Sequence, residues 1–257
     1  MYNFLDKNVL FTGGNGRLGK ACRIVFPDAQ YPRRSQLDVR DGTSIERYLT
    51  EHEVDTVVHL AAIAGIPQCE NDNILAYDVN VRGTQRMADT ASRHGVKHFV
   101  FLSTACVFPG TNDLSTMPDE DTTPYPKHFY GITKLAAEEV VRSHLTAGML
   151  TTIVRTNFTT MPWEYPRAFT DRFGTYLFAQ GVAKGIKDIL LERPRHPVIH
   201  VCGERPLSMF EYAKLGGSTV EPMTLNDYVG PPLTVNMCMT TKHWRKYRIE
   251  DSKPNDE

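Results

Sequence analysis

Directly after the apolar run Val9-Leu10-Phe11-Thr12, the chain turns through Gly13-Gly14-Asn15-Gly16-Arg17-Leu18-Gly19, with Gly13, Gly16 and Gly19 at intervals of three. A run so short and so rich in branched and aromatic residues predicts a buried strand. Glycine is needed in the turn because a side chain would block either the turn itself or an approaching ligand. The residues from Arg17 onward predict a helix, whose first backbone N–H groups are free to hold a pyrophosphate. A strand, a glycine turn and a helix in that order confine the chain to a narrow set of α/β folds.

The remaining sequence keeps the alternation. Short apolar runs at 8–12, 56–62, 98–103 and 151–155 predict central strands, and "PVIHVCG" near 200 predicts another. Between them, Ile74, Tyr77, Val81, Thr84, Ala88 and Ala91 recur at helical spacing and predict one crossover helix stopped by Gly95. Such alternation is what a parallel sheet covered on both faces requires. The expected class is therefore α/β: a Rossmann-type doubly wound parallel sheet with a small C-terminal α/β substrate-binding lobe. The boundaries read as 1–157 for the NAD(P)-binding domain with its catalytic residues, 158–250 for the lobe, interleaved with the first, and 251–257 for a solvated tail. Within the lobe only "GTYLFAQGVAKGIKDILL" reads as helix.

Charge narrows the partners. Lys+Arg 29 against Asp+Glu 30 gives a formal net charge of -1, so no basic field exists to hold nucleic acid or an anionic membrane. Five cysteines, Cys22, Cys69, Cys106, Cys202 and Cys238, are odd in number and widely spaced, as free thiols in a reducing compartment are. Asp6 and Lys7 interrupt any N-terminal signal segment, and no later apolar run reaches membrane-spanning length. A cytoplasmic protein with a small-molecule substrate is expected. No Cys, His or carboxylate spacing matches a metal motif, so no metal is expected.

Two constellations carry chemistry. No acid directly follows the short strand expected after the first helix, in "DAQYPRRSQLDVRD", where Arg33 and Arg34 stand instead, with Arg17 at the phosphate turn. An acid there accepts from a ribose 2'-hydroxyl, whereas arginine binds a 2'-phosphate, so NADP(H) is preferred over NAD(H). The alternative is a solvated pair of arginines. Further on, Tyr130 and Lys134 stand at i and i+4 at the start of a helix, on one face. An ammonium beside a phenol lowers its pKa and readies it for proton exchange with a substrate oxygen. Ser103 and Thr104 end a central strand at the crevice where open α/β sheets bind ligands, and there Thr104 can share a substrate carbonyl with Tyr130. The bland alternative is a threonine bonded to the backbone.

Across residues 8–160, "TGGNGRLG", "LDVRD", "VVHLAA", "STACVFPG" and "YGITKLAAEE" resemble the extended, nucleotide-sugar-modifying branch of the short-chain dehydrogenase/reductase superfamily. The spacing is similar to that of the dTDP-4-dehydrorhamnose reductases. That resemblance implies a nucleotide-sugar substrate reduced at carbon 4 of a 4-keto-6-deoxy sugar, with Tyr130 as proton donor and Lys134 holding the nicotinamide ribose. It also implies cofactor contacts at Gly13, Gly16, Arg17, Leu18, Gly19, Asp38, Val39, Leu60, Ala61 and Ala62, substrate contacts at Asn157 and Phe158, and a homodimer. "TACVFP" also resembles the GDP-L-fucose synthase motif, whose aligned cysteine moves protons at carbons 3 and 5. By that likeness Cys106 is a candidate for epimerisation. The partner histidine is missing from "RTNFTTMPWEYPRAF", and His196 and His200 are the candidates to replace it. A small buried hydrophobe is the other reading of Cys106. Two rival functions stay open: an epimerase that keeps its NAD bound, and a non-catalytic NADP-binding regulatory subunit.

Overall fold

The computed structural model describes residues 6–159, 161–230 and 233–252. In chain order, the first half contains β1 (Val9–Thr12), α1 (Arg17–Val25), α2 (Gly42–Glu51), β2 (Thr56–His59), α3 (Ile66–Asn71), α4 (Asn73–Tyr77), α5 (Thr84–Arg93) and β3 (His98–Leu102). There follow α6 (Phe129–Ser143), β4 (Leu150–Thr156), β5 (Arg167–Phe169), β6 (Phe173–Gly174), α7 (Ala179–Glu192), β7 (Val198–Val201), β8 (Leu207–Ser208), α8 (Met209–Leu215) and β9 (Glu221–Met223).

Five strands form one parallel sheet in the order β1-β2-β3-β4-β7. The strand expected after α1 is reduced to a single bridge between Gln30 and Leu10 on the far side of β1. The chain therefore runs outward from β1 to Gln30 and returns across the sheet to β2. This reversal opens a crevice at the carboxyl ends of β1 and β2, beside the glycine turn. Alternation within the strands divides the core. Leu10, Val57, Phe99, Phe101 and Ile153 face the layer of α2, α5 and α6, while Val9, Phe11, Val58, Val100, Val154 and Ile199 face α1 and α7. This is the expected Rossmann-type α/β architecture.

The 158–250 stretch is shared between two structures. Its α7 and β7 complete the Rossmann layers, and β5 pairs with β9 and β6 with β8 in two small sheets beside α8. The helix expected from Gly174 begins only at Ala179, because Tyr176, Leu177 and Phe178 are extended and buried. β7 lies at the sheet edge, where unpaired backbone groups need cover. There Glu120 accepts from the His200 backbone N–H, the Thr241 hydroxyl and the Lys242 backbone N–H.

The single crossover helix expected over 73–95 is three pieces: α4, a π-helical turn over Asp78–Gly83, and α5. The wide turn shifts the helical phase, so Ile74 and Tyr77 point to solvent and Asn80 is fully enclosed. Of the expected tail, Asp251 and Ser252 join Glu250 in a short turn after the buried Ile249, and residues 253–257 lie outside the described residues. All five cysteines are free thiols. Among the described residues, no helix is long and apolar enough to cross a membrane.

Candidate active site

Three of the expected catalytic side chains meet beyond the end of β3. Thr104 caps a short turn over Ala105–Val107, its hydroxyl accepting from the Cys106 N–H at 3.1 Å. α6 begins directly against that turn. A Cβ on Gly131 would stand 2.2 Å from the Cys106 carbonyl oxygen, so glycine alone permits the approach. The approach brings the neighbouring Tyr130 into place, with its phenol beside the Thr104 side chain. The Cys106 thiol also lies beside Thr104 and feels the charge of Arg172. A hydroxyl, a phenol and a thiol thus share one small volume.

Lys134 lies one turn further along α6, 3% exposed, with its ammonium 4.0 Å above the Phe101 ring. Burial lowers its pKa to about 7, against the opposing pull of Glu138. The sequence reading expects Lys134 to lower the pKa of Tyr130, and the structure corrects this. Burial pushes the Tyr130 phenol up, so it holds its proton through neutral pH. Burial likewise raises the Cys106 thiol, which stays protonated.

Ser103 does not join this cluster. Its hydroxyl donates to Glu138, which also receives Arg155 Nε at 3.0 Å and Nη2 at 2.6 Å. Glu138 and Arg155 are 0% and 1% exposed, so α6 is pinned to β3 and β4 by a buried ion pair. Asn80 supplies a second pin. Its side chain exchanges two hydrogen bonds with the Ile63 backbone and donates to Thr133, the residue before Lys134.

At the glycine turn, Gly13 has φ +70° and lies against Ala61, and a Cβ on Gly19 would meet the Gly13 carbonyl oxygen at 2.6 Å. No side chain caps the first turn of α1, whose N-cap is Gly16, so its N–H groups face the crevice as an anion cradle. Leu18 is buried beneath it, and Arg17 forms an exposed ion pair with Glu164 at 3.3 Å. Ala61 donates its N–H to Thr12 Oγ1, and Leu60 and Ala62 are half-buried alongside. Arg34 and Arg40 both bind the Asp38 carboxylate at 3.0 Å, holding it well below the usual carboxylate range, while Arg33 is exposed. Val39 is buried against Gly83.

The structure adds residues that the sequence reading misses. Arg23 stacks 4.3 Å over Tyr31 and reaches the Gly14 carbonyl and the Asn15 side chain, bracing the turn. His59, fully buried and lowered to about 3, bridges Thr12 and Thr84 as a neutral ring. Neither belongs to a spacing motif: the partners of Arg23 lie eight or nine residues away across the turn, and those of His59 are 47 and 25 residues away. Of the expected substrate residues, Asn157 donates to the Met237 carbonyl at 3.1 Å, and Phe158 packs on the α1 and α7 side of the core. His200 donates Nδ1–H to the Thr240 carbonyl and packs edge-on to Phe108, and His196 stacks on His243.

The chain is similar to known proteins in sequence and in fold. UDP-glucose 4-epimerase 4 of Oryza sativa subsp. japonica is 33% identical over 107 residues, covering 42% of this chain and 28% of the relative. The chain thus spans about a quarter of that relative's length. The spore coat polysaccharide biosynthesis protein SpsK of Bacillus subtilis is 28% identical over 230 residues, covering 80% of this chain and 76% of the relative. The fold is similar to a solved dTDP-4-dehydrorhamnose reductase from Bacillus anthracis in complex with NADP, with a TM-score of 0.80 at 22% identity, over 95% of this chain and 96% of that one. Residues 7–173 match the RmlD substrate binding domain description, and a match over more than half its length makes this chain a member of the RmlD substrate binding domain family.

Proposed function

We propose that this protein reduces a nucleotide-linked 4-keto-6-deoxy sugar with NADPH. One observation carries the reading: a proton-bearing Tyr130 stands beside Thr104 at the carboxyl end of β3, one helical turn from Lys134. The crevice beside the glycine turn would hold NADPH, whose chemistry there would be hydride donation to carbon 4. Tyr130 gives its proton to the carbonyl oxygen as that carbon is reduced, and Thr104 hydrogen-bonds the same oxygen. Lys134 holds the ribose hydroxyls. The uncapped first turn of α1 takes the pyrophosphate, and Gly13, Gly16 and Gly19 leave room for it. Arg33, Arg34 and Arg40 outweigh Asp38 near the end of the reduced strand, which favours a 2'-phosphate and hence NADP(H). Replacing Gly19 with Ala is expected to open the turn and weaken NADPH binding at least about tenfold. Fluorescence titration of NADPH checks this, and wild-type affinity in the variant would remove the turn from the binding site.

Cys106 favours a second activity at the same site. A protonated thiol beside Thr104 and Tyr130 supports proton return to a sugar carbon whose original proton a base on the other face has taken. The test follows NADPH and NADH oxidation with dTDP-, UDP- and GDP-linked 4-keto-6-deoxy sugars in deuterated water. Selective NADPH consumption with one sugar is the expected result, and deuterium at carbons 3 or 5 adds epimerisation. Failure of every ketone to consume either cofactor sinks the reductase reading and advances the epimerase and regulatory-subunit readings.

A further inference from the structure

At the outer edge of β7, three residues from distant parts of the chain face one another. Asp121 lies in the segment leading to α6, His196 precedes β7, and His243 belongs to the C-terminal stretch. One donor atom from each falls within 4.8 Å of the others. His243 Nε2 is 3.0 Å from Asp121 Oδ1, and His196 Nε2 is 4.0 Å from the same oxygen. The two imidazoles are stacked, with centroids 3.8 Å apart.

We propose that Asp121, His196 and His243 form a zinc site that fastens the C-terminal stretch to the sheet edge. His196 shows the tautomer such a site needs. Its Nδ1 lies 2.6 Å from the Val198 carbonyl oxygen against 3.4 Å from the Val198 backbone nitrogen, so the shorter contact makes Nδ1–H the donor and leaves Nε2 free, 4.0 Å from Asp121 Oδ1. Metal-bound histidines are oriented by this kind of second hydrogen bond. The backbone is held on both sides of the cluster as well. Glu120, next to Asp121, binds the backbone of His200 and of Lys242, next to His243. Lys242 occupies the other Asp121 oxygen, Oδ2, and leaves Oδ1 for the metal.

Two imidazoles and one carboxylate suit zinc better than calcium or magnesium, which prefer oxygen throughout. Bonds of about 2.0–2.1 Å place tetrahedral ligands about 3.3 Å apart, so the triangle closes by no more than about 1.5 Å. The stacked rings splay as it does. Asp121 is exposed, which gives water the fourth position. Closure also has a consequence for the neighbouring cavity of about 270 Å³. Thr116, Met117 and Pro118 line one wall and Asn236, Met237 and Cys238 another, so the metal ties together the two segments that form it.

The test uses the full, untagged chain. Zinc chloride titrated by calorimetry is expected to bind one ion per chain, and cobalt(II) is expected to give the intense visible bands of tetrahedral coordination. At zinc about 100-fold above its Kd, Tm rises by about 5 °C or more. His243→Ala and the shape-conserving Asp121→Asn each weaken zinc binding about tenfold or more, while Lys242→Ala retains it. Weak binding without fixed stoichiometry, or equal binding by wild type and Asp121→Asn, overturns the proposal.

Discussion

Glu138→Gln is expected to lower the unfolding free energy by about 3–5 kcal/mol. The substitution keeps the shape of the side chain and removes its charge, leaving the Arg155 guanidinium buried without a counter-ion. Arg155 is 1% exposed and sits 5.1 Å from the Phe108 ring centroid, and its Nη1 already lacks a hydrogen-bond partner. Little in its surroundings can replace the lost carboxylate. For a chain of this size the loss corresponds to about 10 °C in Tm, measured by calorimetry. The double variant Glu138→Leu with Arg155→Met is expected to recover much of that loss, because neither charge is then buried. A single variant that loses less than about 1 kcal/mol would show that the pair is not what pins α6.

The function of this pin explains why part of the site was legible in the sequence and part was not. The glycine turn, Thr104 and the Tyr130–Lys134 pair belong to local patterns whose spacing follows from strand and helix geometry. Gly13 is read correctly from sequence because a single φ of +70° demands it. Glu138, Arg155, Asn80 and His59 have partners on other strands and helices, so no local spacing announces them. Asn80 was further hidden by the π turn, which breaks the helical period that would have placed it inside. The same limit applies to Asp121, His196 and His243, which the fold gathers from three separate segments. The expected effect of Lys134 on Tyr130 rested on proximity alone. Burial acts on both groups and drives them toward their neutral forms.

Tyr130→Phe is the substitution that separates a catalyst from a nucleotide-binding regulator. Only the phenolic oxygen is lost, together with its contact with Thr104, so the fold is expected to lose about 1 kcal/mol and Tm to fall by no more than about 4 °C. NADPH affinity should change little, since the glycine turn and Lys134 are untouched. Turnover, in contrast, should fall about 10²- to 10⁴-fold, the contribution of a positioned general acid. The direction of the Tyr130 shift makes this a donor role: its folded-state pKa is raised, so the proton is retained at every pH below the ordinary tyrosine range. That proton is available when hydride reaches the carbonyl carbon and negative charge grows on the oxygen. Steady-state kinetics beside NADPH titration distinguish the outcomes. Lost turnover with intact binding assigns Tyr130 the proton, whereas a variant that keeps more than about a tenth of wild-type turnover assigns it elsewhere, with Cys106 as the remaining protonated group in the cluster.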